Sequence, residues 1–301
     1  LFKDGTFDSF DSGTFDRFKS LGVTHIWYTG IPRHATAEPF VKGNPGSPYA
    51  VLDWFDTNPY LLRAETAGCE AEQKKRLRLD EFGKLVERTH EAGMKVIIDF
   101  IPNHVAKNCI NPIPRHDHCD YDWTDTFKTD YSHPDTWGRM RDIVLFWAGK
   151  GVDGFRCDMV EMVPPEFCRW LISEVRKAYP ELIFIAEVYQ KERYRQYIQE
   201  VGFDYLYDKS GLYDTVRAIV RANAASDGFA STRGITWNWQ MLGDLQPHML
   251  NFLENHDEQR LASPWFAGRD DQFAALHATM LLNTAPYMVY FGQEVGIDAS
   301  E

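Results

Sequence analysis

Lys95-Val96-Ile97-Ile98-Asp99-Phe100-Ile101 is the stretch whose reading decides the fold. It is an apolar, β-branched run closed by Pro102-Asn103-His104, and a helix over residues 79–92 leads into it. Gly93 stops that helix, because a residue free to adopt positive φ ends a helix without strain. The unit of helix, glycine, apolar strand and polar strand end then recurs in both directions. Upstream, residues 15–21 read as a helix and residues 23–28 as a strand, whose end at Thr29-Gly30 opens a long loop rich in Pro and Gly. Downstream, residues 135–149 carry Met140, Ile143, Val144 and Trp147 at i, i+3, i+4 and i+7, one face of a helix. Strands follow at 152–158, 182–187, 203–206, 249–254 and 287–291, with helices at 165–179, 192–200, 212–222 and 271–282 between them.

Short β-branched runs alternating with amphipathic segments are the pattern of βαβ units and a parallel sheet. Seven such strands fit a (β/α)8 TIM barrel whose first strand is lost upstream or reduced to Leu1-Phe2. An open doubly wound sheet would place a Gly-rich phosphate loop after its first strand, and Gly30-Ile31-Pro32-Arg33-His34 lacks that spacing. Residues 103–134 are His, Asp, Asn, Pro and Lys with little periodicity. They read as a short inserted subdomain, which leaves 1–102 and 135–301 as the barrel.

A chain of 301 residues suits one such barrel. Its nine Trp, fourteen Tyr and twenty Phe exceed what the core requires, and aromatic faces serve sugar-binding clefts as apolar platforms. A net charge of −12 argues against nucleic acid as partner, since phosphate binding uses a basic stripe. No apolar run is long enough to span a membrane. The five cysteines, Cys69, Cys109, Cys119, Cys157 and Cys168, are odd in number and irregularly spaced, although Cys109 and Cys119 share one polar loop and could pair. Their usage favours a reducing, cytoplasmic setting over export.

In barrels the chemistry sits at the C-terminal ends of the strands. Those ends read Asn103-His104, Arg156 with Asp158, Glu187, and Asn255-His256-Asp257. One acid after a strand is ordinarily a helix cap. Three in one barrel layer crowd each other, so that one is held neutral as an acid while another stays ionised. Arg156 and Asp158 share a strand face, which pairs the cation with a candidate nucleophile. Glycosidic cleavage needs this equipment, a proton donor for the leaving oxygen and a carboxylate for the oxocarbenium-like centre. His104 and His256 would donate to sugar hydroxyls, and Tyr49 offers either a stacking face or packing on the rim.

At these residues the chain resembles the α-amylase family, glycoside hydrolase family thirteen. Asp99-Phe100-Ile101-Pro102-Asn103-His104 is similar to the family's first sequence block, and Gly154-Phe155-Arg156-Cys157-Asp158 to the block that carries the nucleophile. Ile185-Ala186-Glu187-Val188 resembles the acid/base block, and Phe252-Leu253-Glu254-Asn255-His256-Asp257 that of the third acid. The resemblance implies a retaining glycosidase that cleaves α-1,4-glucosidic bonds of starch or maltooligosaccharides through a covalent glycosyl-enzyme. Asp158 would be the nucleophile, Glu187 the acid/base and Asp257 the third carboxylate. Tyr49 would stack under the sugar, with His104, Arg156, His256 and Arg260 binding it.

The departures from the family pattern carry expectations too. The first strand, the last helix and the usual C-terminal β-sandwich are missing from 1–301, so the chain reads as a fragment. Asn103 survives as one calcium ligand, but Lys128-Thr129-Asp130 stands where an acidic block would be expected and Glu161-Met162 where a Lys-His pair would be. No cofactor is required on this reading, and calcium lacks several of the oxygens it needs. Transfer to a sugar acceptor shares the glycosyl-enzyme with hydrolysis, so the sequence leaves that choice open. A non-catalytic barrel is the reading if the fragment is incomplete. A metal hydrolase using Asp99, His104, Asp158 and His256 explains neither Arg156 nor Glu187.

Overall fold

The computed structural model describes residues 5–43, 45–63, 68–224, 231–281 and 283–299. Leu1-Phe2, read as a remnant strand, and Leu282 lie outside them. The chain divides into two units, Leu1–Ile185 and Ala186–Glu301. Strands and helices alternate through both, and the paired strands that continue the helix–strand repeat run parallel, the α/β pattern of a TIM barrel.

The first unit opens with helix α1 (Ser12–Ser20), whose N-cap Asp11 accepts from the Thr14 backbone N–H at 2.8 Å. Then come β1 (His25–Tyr28), β2 (Pro32–His34), β3 (Val51–Thr57) and α2 (Ala71–Glu91). Next are β4 (Lys95–Phe100), β5 (His104–Ala106), β6 (Thr126–Lys128), α3 (Thr136–Ala148), β7 (Gly154–Cys157) and α4 (Pro165–Arg176), and β8 (Ile183–Ala186) runs to the boundary. β1 pairs parallel with β4, His25 opposite Lys95, and β4 with β7, Asp99 opposite Arg156. β8 lies on the far side of β7, where the Ile183 N–H donates to the Asp153 carbonyl at 3.0 Å. Gly154 permits this close spacing: a Cβ there would lie 2.6 Å from Ile97 Cδ1 and 2.8 Å from the Ile183 carbonyl oxygen. Beneath the sheet, Phe82 meets Trp147 edge-on at 5.3 Å, and Trp147 Nε1 donates to the Trp54 carbonyl at 2.9 Å.

The long loop expected after β1 is partly ordered into an antiparallel pair, β2 with β3, and α2 starts at Ala71 rather than at 79. Both differences have one cause. β3 carries Asp53 and Asp56 where an amphipathic strand would alternate, and both are buried. Lys75 reaches Asp53 at 3.1 Å, and Arg78 grips Asp56 through Nε at 2.8 Å and through Nη2. The first turns of α2 are therefore held by charge pairs, which leave no apolar periodicity to read.

The second unit holds β9 (Tyr205–Tyr207), α5 (Asp214–Ala224), α6 (Arg233–Leu242), β10 (Met249–Leu250) and α7 (Gly268–Met280). β9 and β10 are parallel, Leu206 opposite Met249. The helix read at 192–200 is a 3-10 turn, Lys191–Arg193, followed by a π-helix, Gln196–Val201. The strand read at 249–254 shortens to two residues. That at 287–291 reduces to a bridge from Tyr287 to Asn251, because the next backbone groups serve a turn in which Gln293 N–H donates to the Tyr290 carbonyl at 2.9 Å. α6 was not read from the sequence.

Candidate active site

The first unit gathers its polar cluster at the ends of β4 and β7. Asp158 follows directly on β7, and its N–H donates to the carbonyl of Phe100 at 2.9 Å. Met159 then takes a left-handed conformation, φ 45°, unusual for a side chain other than glycine. The chain thus turns sharply immediately beyond the carboxylate. Arg156 is 1% exposed and donates from Nη1 to Asp158 Oδ1 at 2.5 Å, with Asp99 Oδ1 at 3.6 Å from the same nitrogen. Its guanidinium lies over the rings of Trp27 and Tyr49, 5.4 Å from each centroid. A buried planar cation that packs near two aromatic rings and pairs with carboxylates is held in orientation.

Tyr49, Arg156 and Asp158 are therefore brought together as expected candidates, and the structure adds Asp99 and Trp27, which the sequence reading gave no part in sugar binding. Asp99 lies opposite Arg156 in the parallel register. Its Oδ2 also accepts from Gly30 N–H at 3.2 Å. His104 is buried, its ring 5.1 Å from that of Trp123. Beside it Asn103 Nδ2 donates to Asp120 Oδ2 at 2.9 Å, and Lys128 Nζ lies 2.9 Å from Asp120 Oδ1. Burial raises the Asp120 carboxyl, but the Lys128 and Asn103 hydrogen bonds outweigh it and hold the group below its usual range. Cys109 and Cys119 are free thiols.

The second unit carries the other acids. Glu187 follows β8, is 2% exposed, and accepts from Tyr189 Oη at 2.8 Å. In the Asn255-His256-Asp257 turn, the Asp257 N–H donates to Asn255 Oδ1 at 2.9 Å, and His256 Nε2 lies 3.3 Å from Asp257 Oδ2. Asp257 is about half exposed, and with His256, Gln259, Arg260 and Tyr290 it lines a cleft. Arg260 is held from three sides, by Glu254 Oε1 at 3.3 Å, by the Phe291 carbonyl at 2.6 Å and by the Tyr290 ring at 4.4 Å. Burial raises the Glu254 carboxyl, with hydrogen bonds from Leu261 and Arg260 opposing the shift. Next to Asp257, Glu258 accepts from Tyr213 Oη at 2.9 Å and pairs with Lys209 at 3.1 Å. That anchor fixes the turn, and nothing in its spacing announced it.

The family model described as Alpha amylase, catalytic domain, matches residues 120–301. An alpha-1,4-glucan:maltose-1-phosphate maltosyltransferase of Cereibacter sphaeroides is 27% identical over 222 residues, 65% of this chain and 32% of that protein. Alpha-amylase MalA of Haloarcula japonica is 26% identical over 301 residues, 93% of this chain and 40% of that protein. The chain thus spans a third to two fifths of the length of these curated relatives. Among solved structures, an alpha-amylase from Lactobacillus plantarum superimposes with a TM-score of 0.78 at 24% identity, covering 99% of this chain and 70% of that one. A maltogenic alpha-amylase from Thermotoga neapolitana gives 0.74 at 25% identity, covering 98% and 65%.

Proposed function

Since the chain belongs to the α-amylase family, we propose that it cleaves α-1,4-glucosidic bonds of starch-like glucans or maltooligosaccharides with retention, by way of a glycosyl-enzyme. Asp158 attacks the anomeric carbon. Glu187 first protonates the leaving oxygen and then takes the proton of the incoming acceptor. Asp257 binds ring hydroxyls, and His104, His256 and Arg260 complete the sugar contacts.

The observation that carries this reading is the buried pair of Arg156 with Asp158. A fixed guanidinium at 2.5 Å favours an ionised carboxylate, as a nucleophile requires. Tyr49 supports it with an aromatic face set against the same guanidinium.

A second reading follows from the relative named as a maltosyltransferase: the acceptor that resolves the intermediate is a sugar, and the donor a maltosyl phosphate. One experiment separates the two. The protein is incubated with maltoheptaose alone, and with maltose 1-phosphate plus maltoheptaose, and products are sized. Shorter oligosaccharides with new reducing ends from maltoheptaose alone support hydrolysis. Release of inorganic phosphate with chains longer by two glucose units supports transfer. Neither product, from protein of native circular dichroism, would refute both.

A further inference from the structure

The side chains around Asn103 differ from the calcium ligand set that the family resemblance implies. A calcium ion takes 6–8 oxygens at about 2.3–2.6 Å. The carboxylate bonded to Asn103 is that of Asp120, and both its oxygens are engaged by Lys128 Nζ, at 2.9 and 3.1 Å. Asn103 turns its NH2 toward Asp120 rather than its carbonyl oxygen, an orientation forced by a carboxylate that can only accept. A divalent ion on this carboxylate would sit against the ammonium. Among the described residues, no group of three or more His, Cys, Asp or Glu is placed to hold a metal ion. The donor set and the ion do not fit.

We propose that the ammonium of Lys128 does structurally what a bound cation would do, as a tethered counter-charge that fastens the 116–123 loop to the end of β4. The backbone supports the assignment on both sides of the lysine. Lys128 pairs with His104 in the β5–β6 register, its N–H donates to the His118 carbonyl at 2.9 Å, and its carbonyl accepts from His116 N–H at 2.8 Å. The carboxylate it holds belongs to a turn, since Trp123 N–H donates to the Asp120 carbonyl at 3.2 Å. That turn sets the Trp123 ring against His104. Lys128 is thus a positioning residue, acting on His104 and Trp123 through Asp120 and Asn103. The inference does not depend on which acceptor the enzyme uses.

The test is thermal melting of the protein after EDTA treatment and again in millimolar calcium chloride, for wild type, Lys128→Met and Lys128→Arg. Wild type should melt at one temperature in both buffers. Lys128→Met, which keeps length and removes charge, should melt lower by about 3 °C or more, and Lys128→Arg should stay close to wild type. A melting temperature of the wild type that rises with calcium would overturn the proposal, because a ligand that binds the native state stabilises it. So would a Lys128→Met protein as stable in EDTA as the wild type. Should Lys128→Met fail to fold, Lys128→Arg decides: stability in EDTA supports the tethered charge, and collapse to the same degree refutes it.

Discussion

Arg156 joins carboxylate pairing and aromatic packing in one side chain. Its Nη1 serves Asp158 and Asp99 while its face meets Trp27 and Tyr49, so orientation of the carboxylate and of the aromatic platform are one event. Lysine would keep the charge and lose the plane that stacks. The same geometry separates structure from chemistry at Asp158. In Asp158→Asn an oxygen remains to accept from Arg156, and Asp99 continues to balance the guanidinium, so the fold should survive. Glu187→Gln likewise keeps an acceptor for Tyr189 Oη. On the proposed roles each variant should retain native circular dichroism and lose activity roughly 10³-fold or more, because each removes a distinct chemical step. Retention of a tenth of wild-type turnover on maltoheptaose in either variant would disprove its role. These acids were legible because each closes a short apolar run, and Arg156 because it stands two residues before Asp158 on one strand face. Tyr189 and Glu258 were not, since their contacts depend on turns that no period encodes.

Charge holds β3 to α2. Lys75–Asp53 and Arg78–Asp56 join two elements in consecutive rungs, and Arg78 and Asp56 are both buried. Removing one partner of a buried pair strands the other, at a cost of about 3–5 kcal/mol. Asp56→Ala should therefore lower unfolding free energy by at least that amount in urea titrations, since Arg33, 3.6 Å from Asp56, loses its counter-charge as well. A loss below 1 kcal/mol (about the worth of an exposed pair) would show the pair to be dispensable. His34, at the end of β2, gives the same region a pH dependence. Burial pushes its imidazole down to about 4, with a backbone hydrogen bond at Pro45 pulling the other way, and Asn58 Nδ2 lies 2.6 Å from Nδ1. The unfolded chain takes up a proton below about 6.5, whereas the folded chain resists until near 4. This contribution to stability is complete above pH 6.5 and is lost as pH falls toward 4, at up to about 1.4 kcal/mol per unit. Between pH 7 and pH 5, His34→Gln should lose about 1–2 kcal/mol less than wild type in urea unfolding. Identical slopes would remove His34 from the acid sensitivity.

At the scale of the molecule, what was legible was periodic: the parallel strands of the first unit fall within two residues of their reading because their apolar runs answer to one sheet. What was not legible depended on partners distant in sequence. β3 is stabilised by α2 through buried ions, and residues 287–291 lose their strand to a turn whose Phe291 carbonyl serves Arg260. On the proposed reading the same division carries over to function, since the sequence marks the family and candidate acids while the identity of the acceptor has no periodic signature. Stereochemistry offers a measurement that is blind to that choice. A covalent glycosyl-enzyme formed on Asp158 inverts the anomeric centre once, and attack by water or by a sugar hydroxyl inverts it again, so either acceptor yields an α product. A single displacement by water activated by a carboxylate base yields β. Proton NMR in the first minutes of maltoheptaose cleavage, before mutarotation mixes the anomers, should show the α anomer as the initial product. In Asp158→Ala, supplied with azide as a small external nucleophile, the same argument gives one inversion and a β-glycosyl azide. An initial β product from the wild-type protein, or an α-azide from the variant, would remove Asp158 from the role of nucleophile and with it the double displacement.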